Sequence, residues 1–163
     1  MKIILAGTTG FVGKEVLSQC LSHPSITSIV ILTRRDLTLP TLDPKVQIYR
    51  MQDDDFLSYS NPQLTAALRG ARACIWTLGV LPSRASDAQA IRRVTVDFTE
   101  QAAQAFTRNC SGRGSRFRFV YLSGALAERD QSKSLWFAGP YRRVRVGYIS
   151  KSTLSRQTCE KQS

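Results

Sequence analysis

Gly7-Thr8-Thr9-Gly10-Phe11-Val12-Gly13, GTTGFVG, stands between two segments of different periodicity. Before it, Lys2 to Ala6 is a continuous apolar run. After it, Phe11 to Leu21 places Val12, Val16, Leu17 and Cys20 at helical spacing. Strand, tight turn and helix are therefore expected in that order. At such a junction the three glycines have separate uses: Gly7 allows the tight turn, Gly10 lets backbone approach a pyrophosphate, and Gly13 lets the helix pack closely on the strand. The first helical N–H groups, unpaired within the helix, face the anion. The spacing is GxxGxxG, and on this reading Gly7, Thr8, Thr9, Gly10, Phe11, Val12 and Gly13 line a dinucleotide site. A structural turn with incidental glycines is the alternative.

Outward from this turn, strands and helices alternate. Ser28 to Thr33 (SIVILT) is a β-branched run preceded by His23-Pro24-Ser25, which completes a first βαβ unit. Lys45 to Tyr49 reads as a third strand. Asn61 or Ser60 caps a short helix through Leu68, ended by Gly70, and Arg72 to Leu78 supplies a fourth strand. From Ser86 to about Arg108 the apolar positions Ala90, Ile91, Val94, Phe98, Ala102, Ala105 and Phe106 predict one longer helix, with Asp87 near its positive end. Arg116 to Leu122 is a fifth strand. The alternation predicts an α/β fold: a doubly wound, Rossmann-type parallel sheet of about five strands with helices on both faces. One nucleotide-binding domain over residues 1–145 is expected, followed by a polar tail, 146–163, without an apolar period.

The 163 residues are 42% hydrophobic and 21% charged, a globular composition sufficient for a core. Lys and Arg number 23 against 12 acidic residues, a net charge of +11 that favours anionic partners. The arginines are scattered without aromatic interleaving, so charge alone points to nucleic acid and none is expected as partner. Cys20, Cys74, Cys110 and Cys159 lie far apart without a CxxC pair, and His23 is the single histidine, so neither metal site nor disulfide framework is expected. Cys20 and Cys74 sit in apolar stretches and are expected in the core. The opening MKIILAG is too short an apolar run for a signal peptide or membrane span, and a cytoplasmic protein is expected. Its substrate and oligomeric state are not legible.

Thr33-Arg34-Arg35 ends the second strand, where an NAD-preferring domain offers a carboxylate to the ribose 2′-hydroxyl. Arg34 and Arg35 put guanidiniums there instead, which favours the 2′-phosphate of NADP. Asp36, one residue on, keeps NAD open. After the third strand, Asp53 and Asp54, with Asp55, place carboxylates where the adenine amino group could be accepted, or form an ordinary acidic turn. Thr77-Leu78-Gly79 follows the fourth strand on the carboxyl side, where cofactor ribose and nicotinamide would pass, unless Gly79 simply ends the strand.

These segments, GTTGFVG, TRR, TLG and YLSG, together resemble the short-chain dehydrogenase/reductase superfamily. The likeness is strongest to its extended and atypical branch of nucleoside-diphosphate-sugar-epimerase-like NAD(P)-binding proteins, over roughly Met1 to Arg145. The resemblance implies an NADP-dependent oxidoreductase or epimerase-like activity, with Ser123 orienting the substrate, Tyr141 as acid/base, and Arg145 at the position of the family's lysine. Arg145 departs from that pattern, because a guanidinium has a different reach and shape from an ammonium. A non-catalytic NADP-binding regulator of the same fold is the second expectation. Such proteins continue beyond the tyrosine with a helix, a sixth strand and a substrate-binding part. Here VGYISKSTLSRQTCEKQS follows, and the break in apolar pattern near Val146 predicts a truncated chain, an authentic short C-terminus being the alternative.

Overall fold

The computed structural model describes residues 1–37, 43–80, 86–110 and 117–123, with 130, 132 and 134. They fall into two compact units, Met1–Leu78 with Gln101–Leu122, and Gly79–Glu100 with Ser123 onward.

Five parallel strands form the first unit: β1 (Lys2–Ala6), β2 (Ser28–Thr33), β3 (Val46–Arg50), β4 (Ala73–Trp76) and β5 (Arg118–Tyr121), in the order β3-β2-β1-β4-β5. This is the expected doubly wound sheet. The central strands β1 and β2 are apolar at consecutive positions because both their faces are covered: Ile3, Ile4, Leu5, Ala6 and Ile29 to Leu32 are all buried. Register sets Ala6 beside Leu32 on one side and Trp76 on the other, and Thr33 beside Arg50. The chain runs outward from β1 to β3 and then returns to β4 on the opposite flank. The strand order thus reverses between β1 and β4, whose carboxyl ends open on the ligand crevice of such sheets.

Successive strand residues face opposite layers. On one face α1 (Phe11–Ser22), which buries Gly13, Leu17 and Cys20 at i, i+4 and i+7, packs Leu17 and Cys20 with Ile3, Leu5, Ile29 and Ile31. The other face is aromatic. Trp76 meets Phe56 edge-on at 6.2 Å and lies 6.4 Å from Phe106 and 5.8 Å from Phe119, while Tyr59 stands edge-on to Phe106 at 5.2 Å. Phe56 comes from α2 (Asp55–Ser58), a four-residue helix within what the sequence presents as an acidic turn. So short a helix has no stability alone. Burying Phe56 completely contributes about 1.5–3 kcal/mol, and the Asp55 carboxylate accepts from Gln52 N at 2.7 Å. Next, α3 (Pro62–Leu68) starts as expected, with the Asn61 side chain accepting from Gln63 N and Leu64 N and proline in the first turn.

In the second unit, the helix expected from Ser86 divides into α4 (Ala88–Arg92), a π-helical turn (Arg93–Asp97) and the start of α5 (Phe98–Cys110). Asp87 caps α4 by accepting from Ala90 N at 2.8 Å. That bond, with the Ser86 hydroxyl, holds the Asp87 carboxyl below its ordinary range. The remainder of α5, in the first unit, buries Ala102, Ala105 and Phe106 and ends with Cys110 Sγ donating to Leu68 O. No described helix is long and apolar enough to cross a membrane.

Candidate dinucleotide site

At the carboxyl end of β1 the chain turns through Gly7, whose φ is +86°, and Gly10 N donates to Gly7 O at 3.0 Å. Two of the three glycines are imposed by the protein itself. A Cβ on Gly7 would lie 2.6 Å from the Thr77 carbonyl carbon, and one on Gly13 would lie 2.0 Å from Gly7 O, so β1, β4 and α1 meet too closely for either. Gly10 differs. Its φ of −82° suits any residue, and its Cβ would meet only Gly7 O, at 3.3 Å, which a small shift relieves. Neither backbone nor packing therefore requires glycine at this exposed position.

Gly10 is also the N-cap of α1, and no side chain caps that helix. The leading N–H groups of a helix lack intrahelical acceptors, and such an end suits an anion. Beside them Thr8 is buried, and its hydroxyl has no hydrogen-bond partner among the described residues. A buried hydroxyl without a partner costs free energy that a bound acceptor removes. Phe11 is 96% exposed, with Val12 and Thr9 also at the surface. An open backbone cradle, a helix end and an orphaned hydroxyl together fit a diphosphate.

The charged rim lies at the ends of β2 and β3. Thr33 Oγ1 receives Arg35 N and donates to Arg35 O, folding TRR into a tight loop that leaves Arg34 and Arg35 exposed. Arg34 Nη1 lies 3.4 Å from Asp53 Oδ1, so Asp53 answers an arginine across the strand ends. Asp54 is the N-cap residue of α2, and its side chain makes no capping hydrogen bond. Arg50, which the sequence reading passed over, lies 2.9 Å from Asp36. At the end of β4, Thr77 Oγ1 donates to Ala6 O at 2.8 Å, which locks β4 to β1 at the turn. Leu78 is half-buried and closes that unit, whereas Gly79 belongs to the second.

Known proteins match this architecture. No family model matches the chain. A curated relative, Leucinostatins biosynthesis cluster protein T of Purpureocillium lilacinum, is 36% identical over 123 residues, which are 76% of this chain and 42% of that protein. The UDP-glucuronic acid 4-epimerase of Bacillus cereus, solved with a fluorinated UDP-glucuronic acid and NAD, superposes with a TM-score of 0.68 at 15% identity, covering 96% of this chain and 52% of its own. A variant of the Serratia marcescens short-chain dehydrogenase/reductase gives a TM-score of 0.70 at 15% identity, covering 96% and 71%. This is the short-chain dehydrogenase/reductase fold. The chain spans about half the length of the epimerase and less of the curated relative.

In the short-chain dehydrogenase/reductase fold Ser123 stands two residues beyond the end of β5 and is half-buried. Tyr141 and Arg145 lie outside the described residues, as does the tail from Val146. Sequence reading also missed the π-helical turn, a feature often found at functional sites. There Thr95 is buried and its hydroxyl has no partner among the described residues, while Thr99 Oγ1 donates to the Thr95 carbonyl at 2.8 Å. Apolar spacing gives no signal of this turn, because Val94, Phe98 and Ala102 suit an uninterrupted helix equally well.

Proposed function

We propose that this chain is an NADP-binding protein of the oxidoreductase or epimerase-like type. The observation that carries the reading is Gly10, a glycine at the mouth of the turn that the fold does not need and that a pyrophosphate would. The leading amides of α1 and the Thr8 hydroxyl would hold the two phosphates, Gly7 and Gly13 would keep the cradle shut from behind, and Arg34 and Arg35 would take the 2′-phosphate. Bound there, the cofactor would supply a nicotinamide able to give or accept hydride. Ser123 would orient a carbonyl or hydroxyl, with Tyr141 as proton donor and acceptor and Arg145 lowering the tyrosine's proton affinity electrostatically. A relative named for a biosynthetic cluster supports a small-molecule substrate. Arg145, where the resembled family carries lysine, favours the second reading, a cofactor-binding regulator without turnover.

Titration of the whole chain with NADPH and NADH, followed by fluorescence, tests the reading. NADPH is expected to bind more tightly, and Gly10→Val to abolish binding of both while the thermal transition persists. Normal binding by Gly10→Val would reduce the turn to a structural element. Equal affinity for the two cofactors would remove the assignment to NADP.

A further inference from the structure

The parallel register that sets Thr33 beside Arg50 brings two charged chain ends onto one rim, at the carboxyl edge of the sheet where β1 enters the glycine turn. Met51 N donates to Thr33 O at 2.9 Å, so the pairing extends one residue past β3 and fixes the base of both loops. From β2 come Arg34, Arg35 and Asp36, and from β3 come Arg50 and Asp53. They pair across the gap rather than along the chain: Arg34 with Asp53 at 3.4 Å, Arg50 with Asp36 at 2.9 Å. Each pair uses a single Nη1 of a fork that carries five donors, and no partner engages the Arg35 side chain among the described residues. Three guanidiniums share the rim with two carboxylates.

Asp36 is the group that matters. A carboxylate next to the ribose would accept its 2′-hydroxyl and repel a 2′-phosphate. If Asp36 stands there, Arg50 Nη1, which donates to Asp36 Oδ1 at 2.9 Å, offsets its charge, and the donors that this bond leaves over are open to a phosphate. The geometry points to Arg50 as a specificity-determining residue that masks Asp36 and supplies a third guanidinium to the 2′-phosphate of the cofactor. The inference rests on the NADP reading above and deepens it. Arg50 is 60% exposed, so its pairing with Asp36 adds little to folding.

Arg50→Ala, Arg34→Ala with Arg35→Ala, and Arg50→Ala with Asp36→Asn are compared with the unmodified chain by titration with NADPH and NADH. Arg50→Ala is expected to weaken NADPH about ten- to hundredfold, the size of one or two charge-assisted hydrogen bonds. NADH should bind as well as before or more tightly, because it makes none of those bonds and the freed Asp36 can accept the ribose 2′-hydroxyl. Adding Asp36→Asn should recover part of the lost NADPH affinity. Unchanged thermal transitions would show that folding is intact. Equal weakening of both cofactors, or unaltered NADPH affinity in Arg50→Ala, would overturn the role of Arg50. If the unmodified chain does not prefer NADPH, the underlying reading has failed. If Arg34→Ala with Arg35→Ala loses the preference while Arg50→Ala keeps it, this inference alone has failed.

Discussion

Gly7, Gly10 and Gly13 look alike in sequence and differ in what enforces them. Gly13→Ala drives a methyl into Gly7 O, and the backbone on both sides is pinned by Thr77. Overpacking of this kind costs about 1–3 kcal/mol, so denaturant unfolding should place Gly13→Ala well below the unmodified chain. Gly10→Ala should stay within about 1 kcal/mol, the usual difference between these residues at an N-cap, yet lose cofactor affinity. If both unfold alike, the cradle is set by packing throughout. Cys110 gives a second residue-scale test. Burial pushes its thiol from 9.0 up to about 11, partly offset by Lys2. Because the folded chain holds the proton more tightly, the stabilisation is complete below pH 9.0 and is lost as pH rises through about 11. Burial raises Cys74 and Tyr59 in the same direction. Urea midpoints across this window should therefore fall for the unmodified chain and fall less for Cys110→Ser. Parallel curves would show that the thiol titrates as an exposed one does.

The helix α3 is held at its start by Asn61, which accepts from two amides. Asn61→Ala should cost about 1 kcal/mol and Asn61→Asp almost nothing, read as a shift in the denaturant midpoint. A shift of equal size in both would place the effect in packing rather than capping. This cap was visible in the sequence, as were β1, the turn, α1 and β2, because each is a local pattern bounded by glycine or proline. Cys20 and Cys74 were likewise legible as core residues from their apolar neighbours, and both are buried. Elements that exist through distant contacts were not legible. The helix α2 is four residues long and forms around Phe56 against Trp76, a partner twenty residues on. Arg50 lies one residue past the apolar run Lys45 to Tyr49, and its meaning comes from register with Thr33, which sequence alone does not specify. For the same reason Asp53, read as an adenine acceptor or a turn residue, proves to face Arg34.

Across the whole molecule, the charge of +11 and the charged rim would act on the proposed cofactor in different ways. Net charge attracts any anion from a distance, and salt screens it, with a Debye length of about 10 Å at 0.1 M falling to about 3 Å at 1 M. Under the proposed reading, contacts at the rim would act within hydrogen-bond distance and discriminate between cofactors. The 2′-phosphate carries close to two further negative charges, so NADPH should associate faster than NADH at low salt, and its rate should fall more steeply as salt rises. Arg69 and Arg72 separate the two effects. They lie exposed before β4, where Arg72 N donates to Lys2 O at the amino end of the strands, far along the sheet from the turn. Neutralising them as Arg69→Gln with Arg72→Gln lowers the net charge by two and leaves the rim untouched. Stopped-flow mixing should then show slower association of both cofactors at low salt, with the preference for NADPH at equilibrium retained. Loss of that preference would mean that selectivity comes from the field of the whole protein, and Arg34, Arg35 and Arg50 would have no special claim on the phosphate.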